Sequence, residues 1–164
     1  MTLVKTFLHT CKKYSQKTAV TDHSGAFTYE DLHQESIRCA SRLLSGVTGR
    51  NVGILLPNGK EFVVAFYGTL MAGKTPVPLN YLLSPAQLLY VIRDAGIDTV
   101  FTNNLFSPLL GNQIKNTLLT EEKQSGASCN EENIKQGDEE EQAALLYTSG
   151  TNANPKGVIL THKN

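Results

Sequence analysis

The chain has 164 residues, 40% apolar content and 18% charged content. That is the size of one ordinary domain, large enough to bury a core without metals or disulfides. Its 15 basic and 15 acidic residues balance, which gives no electrostatic reason to expect nucleic acid or an anionic membrane as a partner.

The opening MTLVKTFLHTCKKY has no apolar block followed by small residues, so it does not read as a signal peptide. Leu3 to Tyr14 reads as a short amphipathic helix, with Leu3, Phe7, Leu8 and Cys11 on one face. TAVTD and AFTY, split by Ser24-Gly25, suggest a hairpin. Thr28 and Asp31 stand in capping-box spacing at the head of a helix. Leu32, Ser36, Cys39 or Ala40, and Leu43 trace its inner face, and Gly46 is its expected stop. NVGILLP is a buried-strand run. Asn58 and Glu61 repeat the cap pattern before a helix with Phe62, Ala65, Phe66 and Leu70 inward and Gly73 at its end. TPVPLN must be extended, because its prolines forbid helix and limit ladder bonding. Ser84-Pro85-Ala86-Gln87 combines a cap, a proline at the first helical position and a glutamine three residues on. Leu88, Val91, Ile92 and Ala95 follow as a stripe, ended by Gly96. DTVFTN is another strand.

Strands apolar on both faces, alternating with helices, predict an α/β fold with a largely parallel sheet flanked by helices. Residues 1–119 form that unit. Leu109 to Leu119 is a weaker candidate helix. Residues 120–142 are polar, with four consecutive acids at Asp138 to Glu141, and read as a solvated linker. Residues 143–164 return to strand character as strand, loop, strand. Nowhere do about 18 apolar residues run together to span a bilayer. Cys11, Cys39 and Cys129 are far apart and match no metal spacing. They read as reduced thiols of a cytoplasmic protein.

The loop in LLYTSGTNANPKGVILTHKN is rich in donors. Thr148, Ser149 and Thr151 supply hydroxyls, Asn152 and Asn154 supply amides, and Lys156 supplies a mobile positive charge. Gly150 allows the backbone to approach a ligand. Pro155 restricts the chain before the lysine, and Gly157 permits an unusual backbone angle after it. The set suits an anion such as a phosphate chain. It is not a Walker A loop, because Gly follows the lysine and the next residues are β-branched.

Tyr147-Thr-Ser-Gly-Thr-Asn-Ala-Asn-Pro-Lys-Gly157 resembles the signature loop of the adenylate-forming superfamily, whose usual form is Y-T-S-G-T-T-G-x-P-K-G-V. ILTHKN resembles the continuation in long-chain acyl-CoA synthetases. LMAGKTPVPLNYLLSPAQLLYVIRDAG and VGILLPNGKEFVVAFYG resemble its upstream blocks, so the likeness runs from about Thr18 and is weakest across the polar linker. It implies the N-terminal portion of the adenylate-forming large domain. It also implies activation of a carboxylic acid, a fatty acid being favoured, by attack on ATP. Pyrophosphate leaves, and coenzyme A takes the acyl group. Thr148, Ser149, Gly150, Thr151, Asn152, Pro155, Lys156 and Gly157 fall on the loop that holds the β- and γ-phosphates. Thr148 matches the threonine that reaches Mg2+ in relatives. Amino-acid or aryl-acid adenylation, and a non-catalytic binding or assembly module of the same fold, are the alternatives.

The chain departs from the pattern at Asn152, where Thr is usual, and at Ala153, where Gly is usual. A positive φ at Ala153 would cost roughly 1 kcal/mol or more. Either Asn154 takes that angle in a shifted loop, or the loop holds phosphate poorly. The adenine-stacking block, the metal-binding acid, the ribose aspartate and the catalytic lysine of relatives are missing from these 164 residues. No catalytic residue is therefore expected here, and Lys156 is not that lysine. His162-Lys163-Asn164 matches a helix start in relatives. A fragment that is inactive alone, and that self-associates through uncovered surface, is the expectation.

Overall fold

The computed structural model describes residues 1–112, 114–120, 131–148 and 155–164. Helix α1 (Leu3–Lys13) starts at Thr2, whose hydroxyl accepts from the Lys5 amide at 3.2 Å. Strands β1 (Thr18–Asp22) and β2 (Gly25–Thr28) form the expected antiparallel hairpin. Helix α2 (Tyr29–Leu44) follows with both halves of the Thr28–Asp31 capping box formed. Its buried face is the predicted one with Ile37 added. Its C-cap is Ser45, and Gly46 does not take the left-handed angle that a glycine stop would use.

Helix α3 (Lys60–Met71) begins differently from expectation. Gly59, not Asn58, is the N-cap and offers no side chain. The cap comes from the β1 end instead, where Asp22 Oδ2 accepts from the Lys60 amide at 2.9 Å and Oδ1 accepts from Ser24 at 2.8 Å. A Cβ at Gly59 would lie 2.9 Å from that carboxylate, so the cap replaces the side chain it excludes. Inside the helix, Ala65, Gly68, Thr69, Leu70 and Met71 are buried, while Phe62 and Phe66 are half-buried.

Strands β3 (Asn51–Leu55), β4 (Thr75–Pro78), β5 (Thr99–Thr102) and β6 (Asn116–Leu119) make one parallel sheet in the order β4-β3-β5-β6. The proline-bearing β4 lies at its edge, where a missing amide costs no ladder bond. Strand periodicity divides the core. Val52, Ile54 and Phe101 join Leu32, Leu43 and Leu70 on the side of α1, α2 and α3. Leu55, Val77 and Val100 join Leu88, Val91 and Ile92 of α4 (Pro85–Asp94) on the other. The Ser84–Gln87 capping box of α4 is complete. The sheet is thus covered on both faces, as its apolar strands require.

Between residues 109 and 119 the structure corrects the helical expectation. Ser107–Leu110 is one turn of 3-10 helix, Gly111 at φ +55° breaks it, and Asn116–Leu119 is β6. The described part of the polar stretch is tied down by its backbone. Lys135 N donates to Met71 O at 2.8 Å, Thr2 Oγ1 donates to Gln136 O at 2.7 Å, and Ile134 packs on the first core. Glu139 pairs with the Met1 amino group, and Glu140 with Lys163 at 2.8 Å. Among the described residues, no helix is long and apolar enough to cross a membrane.

Candidate functional site

Strands β7 (Gln142–Thr148) and β8 (Lys156–Thr161) are the two legs of the donor-rich loop. They pair antiparallel, with Tyr147 opposite Gly157 and Thr148 opposite Lys156. The β7 leg is anchored by buried Ala143 and Ala144, and Leu145 and Tyr147 pack against the α4-side core. Gln142 Oε1 accepts from Thr75 Oγ1 of β4 at 3.4 Å. β8 owes its extended form to Val158, Ile159 and Thr161, and β7 to Tyr147 and Thr148 at its loop end and to burial at its base, with one irregularity of register between Gln142 and Ala144.

Of the candidate residues, Thr148 is the last of β7 and exposed. Pro155 is buried immediately before β8, and Lys156 and Gly157 open β8 with exposed side positions. Ser149, Gly150, Thr151 and Asn152 lie outside the described residues, as do Ala153 and Asn154, on which the expected strain falls. Gly157 does not use the unusual backbone angle predicted for it: among the described residues, the left-handed glycines are Gly25, Gly73, Gly96, Gly111 and Gly137. Its reason is space. A Cβ at 157 would meet Tyr147 Cζ at 3.2 Å, Leu145 Cδ1 at 3.3 Å and Tyr147 Oη at 3.3 Å.

That contact leads to a pair the sequence reading missed. Tyr147 Oη donates to Asp94 Oδ2 at 2.5 Å, across 53 residues. Burial pushes the Tyr147 hydroxyl well above its ordinary value, helped by the hydrogen bond and charge of Asp94, so it stays a donor. A sequence signal existed: Asp94 is the last residue of α4, where the helix dipole disfavours an acid.

Thr148 offers a single neutral oxygen of the hard kind that Mg2+ takes. Among the described residues, no group of three or more His, Cys, Asp or Glu side chains converges to hold a metal. One ligand does not make a site.

A separate concavity of about 410 Å³ lies between α2 and α3, bordered by Glu35, Arg38, Arg42, Lys60, Glu61 and Phe101. Lys60 pairs there with Glu35 at 3.2 Å, and Arg42 Nη1 donates to Leu119 O at 3.2 Å. Of the sequence-predicted donors among the described residues, neither Thr148 nor Lys156 borders it.

The model of the AMP-binding enzyme family matches residues 7–164. The mitochondrial malonate–CoA ligase of Xenopus laevis is 31% identical over 169 residues, covering 92% of this chain and 29% of that protein. The long-chain-fatty-acid–CoA ligase of Bacillus subtilis is 28% identical over 206 residues, covering 99% of this chain and 37% of that protein. The structure of o-succinylbenzoate CoA synthetase from Bacillus subtilis, bound to its acyl-adenylate intermediate, superposes with a TM-score of 0.84 at 26% identity. It covers 98% of this chain and 42% of that one. The chain therefore spans about a third of the length of these relatives. The doubly covered parallel sheet, the strand-loop-strand hairpin and the family match agree, and the chain belongs to the AMP-binding, adenylate-forming enzyme family.

Proposed function

We propose that this chain is the N-terminal, phosphate-gripping part of an ATP-dependent carboxylate ligase that forms an acyl-adenylate and passes the acyl group to coenzyme A. The observation that carries the reading is the pairing of Thr148 with Lys156 at the hairpin mouth. It starts both ends of the loop at adjacent points, with the exposed lysine beside the hydroxyl. Such a loop holds the β- and γ-phosphates and spreads the charge that develops on pyrophosphate as it leaves. Thr148, Ser149, Gly150, Thr151, Asn152, Pro155, Lys156 and Gly157 are the proposed contacts. In this organisation 1–119 is the α/β unit, 120–142 the connector and 143–164 the hairpin.

A fatty acid is the proposed substrate, supported by the likeness of ILTHKN to long-chain ligases. Relatives named for malonate and for o-succinylbenzoate stand beside the fatty-acid ligase, and that segment is what favours a fatty acid. The free, buried thiols of Cys11 and Cys39 support a reducing, cytoplasmic setting.

Titration calorimetry tests the reading. The chain binds ATP and tripolyphosphate more tightly than AMP. Lys156→Ala weakens the first two by about tenfold, the value of one charge-assisted contact, and leaves AMP unchanged. Equal loss for AMP and ATP overturns the phosphate assignment. Pyrophosphate exchange by the chain alone, with ATP and a panel of fatty acids, stays at background; turnover would refute its dependence on the rest of the relatives' fold. Self-association is also proposed. Val158 and Ile159 are 44% and 55% exposed, and β8 pairs only with β7 among the described strands. A clean monomer in concentrated sedimentation runs would count against it.

A further inference from the structure

We propose that Tyr147 and Asp94 form a positioning clamp that fixes the mouth of the phosphate loop against the C-terminal end of α4, with Gly157 as the slot that admits the tyrosine ring. The proposal rests on the phosphate reading above and names residues outside the donor set.

Three observations converge. First, Tyr147 immediately precedes Thr148, where the loop leaves β7, and its Cα partner is Gly157, just after the loop returns. One ring therefore spans both ends of the loop. Second, the ring fits because position 157 carries no Cβ: the added atom would press on Tyr147 Cζ and Oη at 3.2 and 3.3 Å. Third, the hydroxyl reaches an acceptor on a different element, Asp94, at 2.5 Å. Buried Ala143 and Ala144 and the packing of Leu145 already seat the base of β7. The bond to α4 adds a tie at the other end of the strand, where the loop leaves it.

Asp94 explains itself only through this contact. A carboxylate at the negative end of a helix is unfavourable for the helix. A tyrosine hydroxyl donating to it offsets that cost. The donor must keep its proton for the bond to exist, and burial beside a carboxylate favours the protonated form. The requirement on residue 94 is an acceptor within reach, not a charge. Asparagine meets it through its amide oxygen, whereas alanine does not.

The clamp acts on ligand through the loop. Anion donors on a loop bind in proportion to the fraction of time their ends hold the right spacing. Loosening the mouth lowers affinity without removing any donor.

The experiment uses the 164-residue chain in six versions: wild type, Tyr147→Phe, Asp94→Ala, the double variant of these two, Asp94→Asn and the remote, destabilised control Gly68→Ala. Hydrogen exchange is read without ligand at the amides of residues 146–148 and 156–158, and tripolyphosphate affinity by calorimetry. Tyr147→Phe and Asp94→Ala speed exchange at the mouth by about five- to tenfold, the range of one lost hydrogen bond. They weaken tripolyphosphate by the same factor, and the double variant is no worse than either alone. Asp94→Asn stays within about twofold of wild type, because it keeps an acceptor. Gly68→Ala lowers global stability yet changes neither reading at the mouth. Unchanged exchange in Tyr147→Phe overturns the clamp, as does a loss in Asp94→Asn as large as in Asp94→Ala. If wild type binds tripolyphosphate and Tyr147→Phe binds it equally, the clamp falls and the phosphate reading stands. If wild type fails to bind while exchange behaves as stated, the phosphate reading falls and the clamp stands as a structural tie.

Discussion

Replacing Gly68 by alanine tests the packing that holds α2 on α3. Alanine is the better helix former, so on local grounds the change gains about 1 kcal/mol. The helix crossing forbids it. A Cβ at 68 would sit 2.5 Å from both Cβ and Sγ of Cys39 and 2.9 Å from the Ser36 carbonyl oxygen. One of these obstacles is backbone, so no rotamer change relieves the overlap; the helices must part. Overpacking of that kind costs about 1–3 kcal/mol. Three overlaps under 3.0 Å, one of them backbone, put this site in the upper part of that range, about 2–3 kcal/mol, and subtracting the propensity gain leaves a loss of about 1–2 kcal/mol. With a urea dependence of about 2 kcal/mol per molar, the midpoint falls by about 0.5–1 M. Urea unfolding followed by far-UV circular dichroism reads it. In a Cys39→Ala background the loss shrinks but persists, because the Cβ of residue 39 and the Ser36 oxygen remain. A Gly68→Ala midpoint at or above wild type would refute the close crossing of α2 and α3.

Ser84→Ala removes the acceptor of the Gln87 amide, at 3.3 Å, and lowers stability by about 1 kcal/mol in the same urea experiment; no change would mean the α4 cap contributes nothing. Asp22 and Asp31 are held below the ordinary carboxylate value of 3.8, Asp22 chiefly by the Lys60 amide and Asp31 chiefly by the Thr28 amide. Their contribution is therefore whole above 3.8 and is lost as pH falls through the lower folded values. Urea midpoints measured downward from about pH 5 should drop less steeply for Asp22→Asn, which cannot titrate. Burial pushes the Cys11 thiol up to about 11, with Glu30 adding to it, and the Cys39 thiol up to about 12 against the pull of Arg42. Iodoacetamide at mild alkaline pH should leave both unlabelled in the folded chain and label both in urea, read by mass spectrometry; labelling of native Cys39 would contradict its burial.

Local signals carried well wherever the determining atoms lie within one element. Thr28 and Asp31, and Ser84 and Gln87, cap helices three residues apart and are readable as such. The stripe Leu88, Val91, Ile92 and Ala95 is buried as its spacing says. The sequence reading failed where the partner comes from elsewhere. Asn58 has the right chemistry to cap α3, but Asp22 already occupies that place from the hairpin. NTLL is too short to declare itself a strand, and becomes one by pairing with Thr99–Thr102. Gly157 looked like a backbone need and is a need for room beside Tyr147. The donor-rich loop was legible as chemistry, because hydroxyls, amides and a lysine crowd a short segment. The Tyr147–Asp94 tie was not, because nothing in a linear reading joins residues 53 apart.

The carboxylate that begins α3 belongs to a residue 38 positions earlier. In a chain made from its amino end, the acceptor is finished before its donor is synthesised. The third helix can therefore start correctly as soon as it emerges, provided the small ribbon ahead of it has already closed. Grafting that helix and sheet into another protein without the first two dozen residues would transplant a rod whose first turn has lost its anchor.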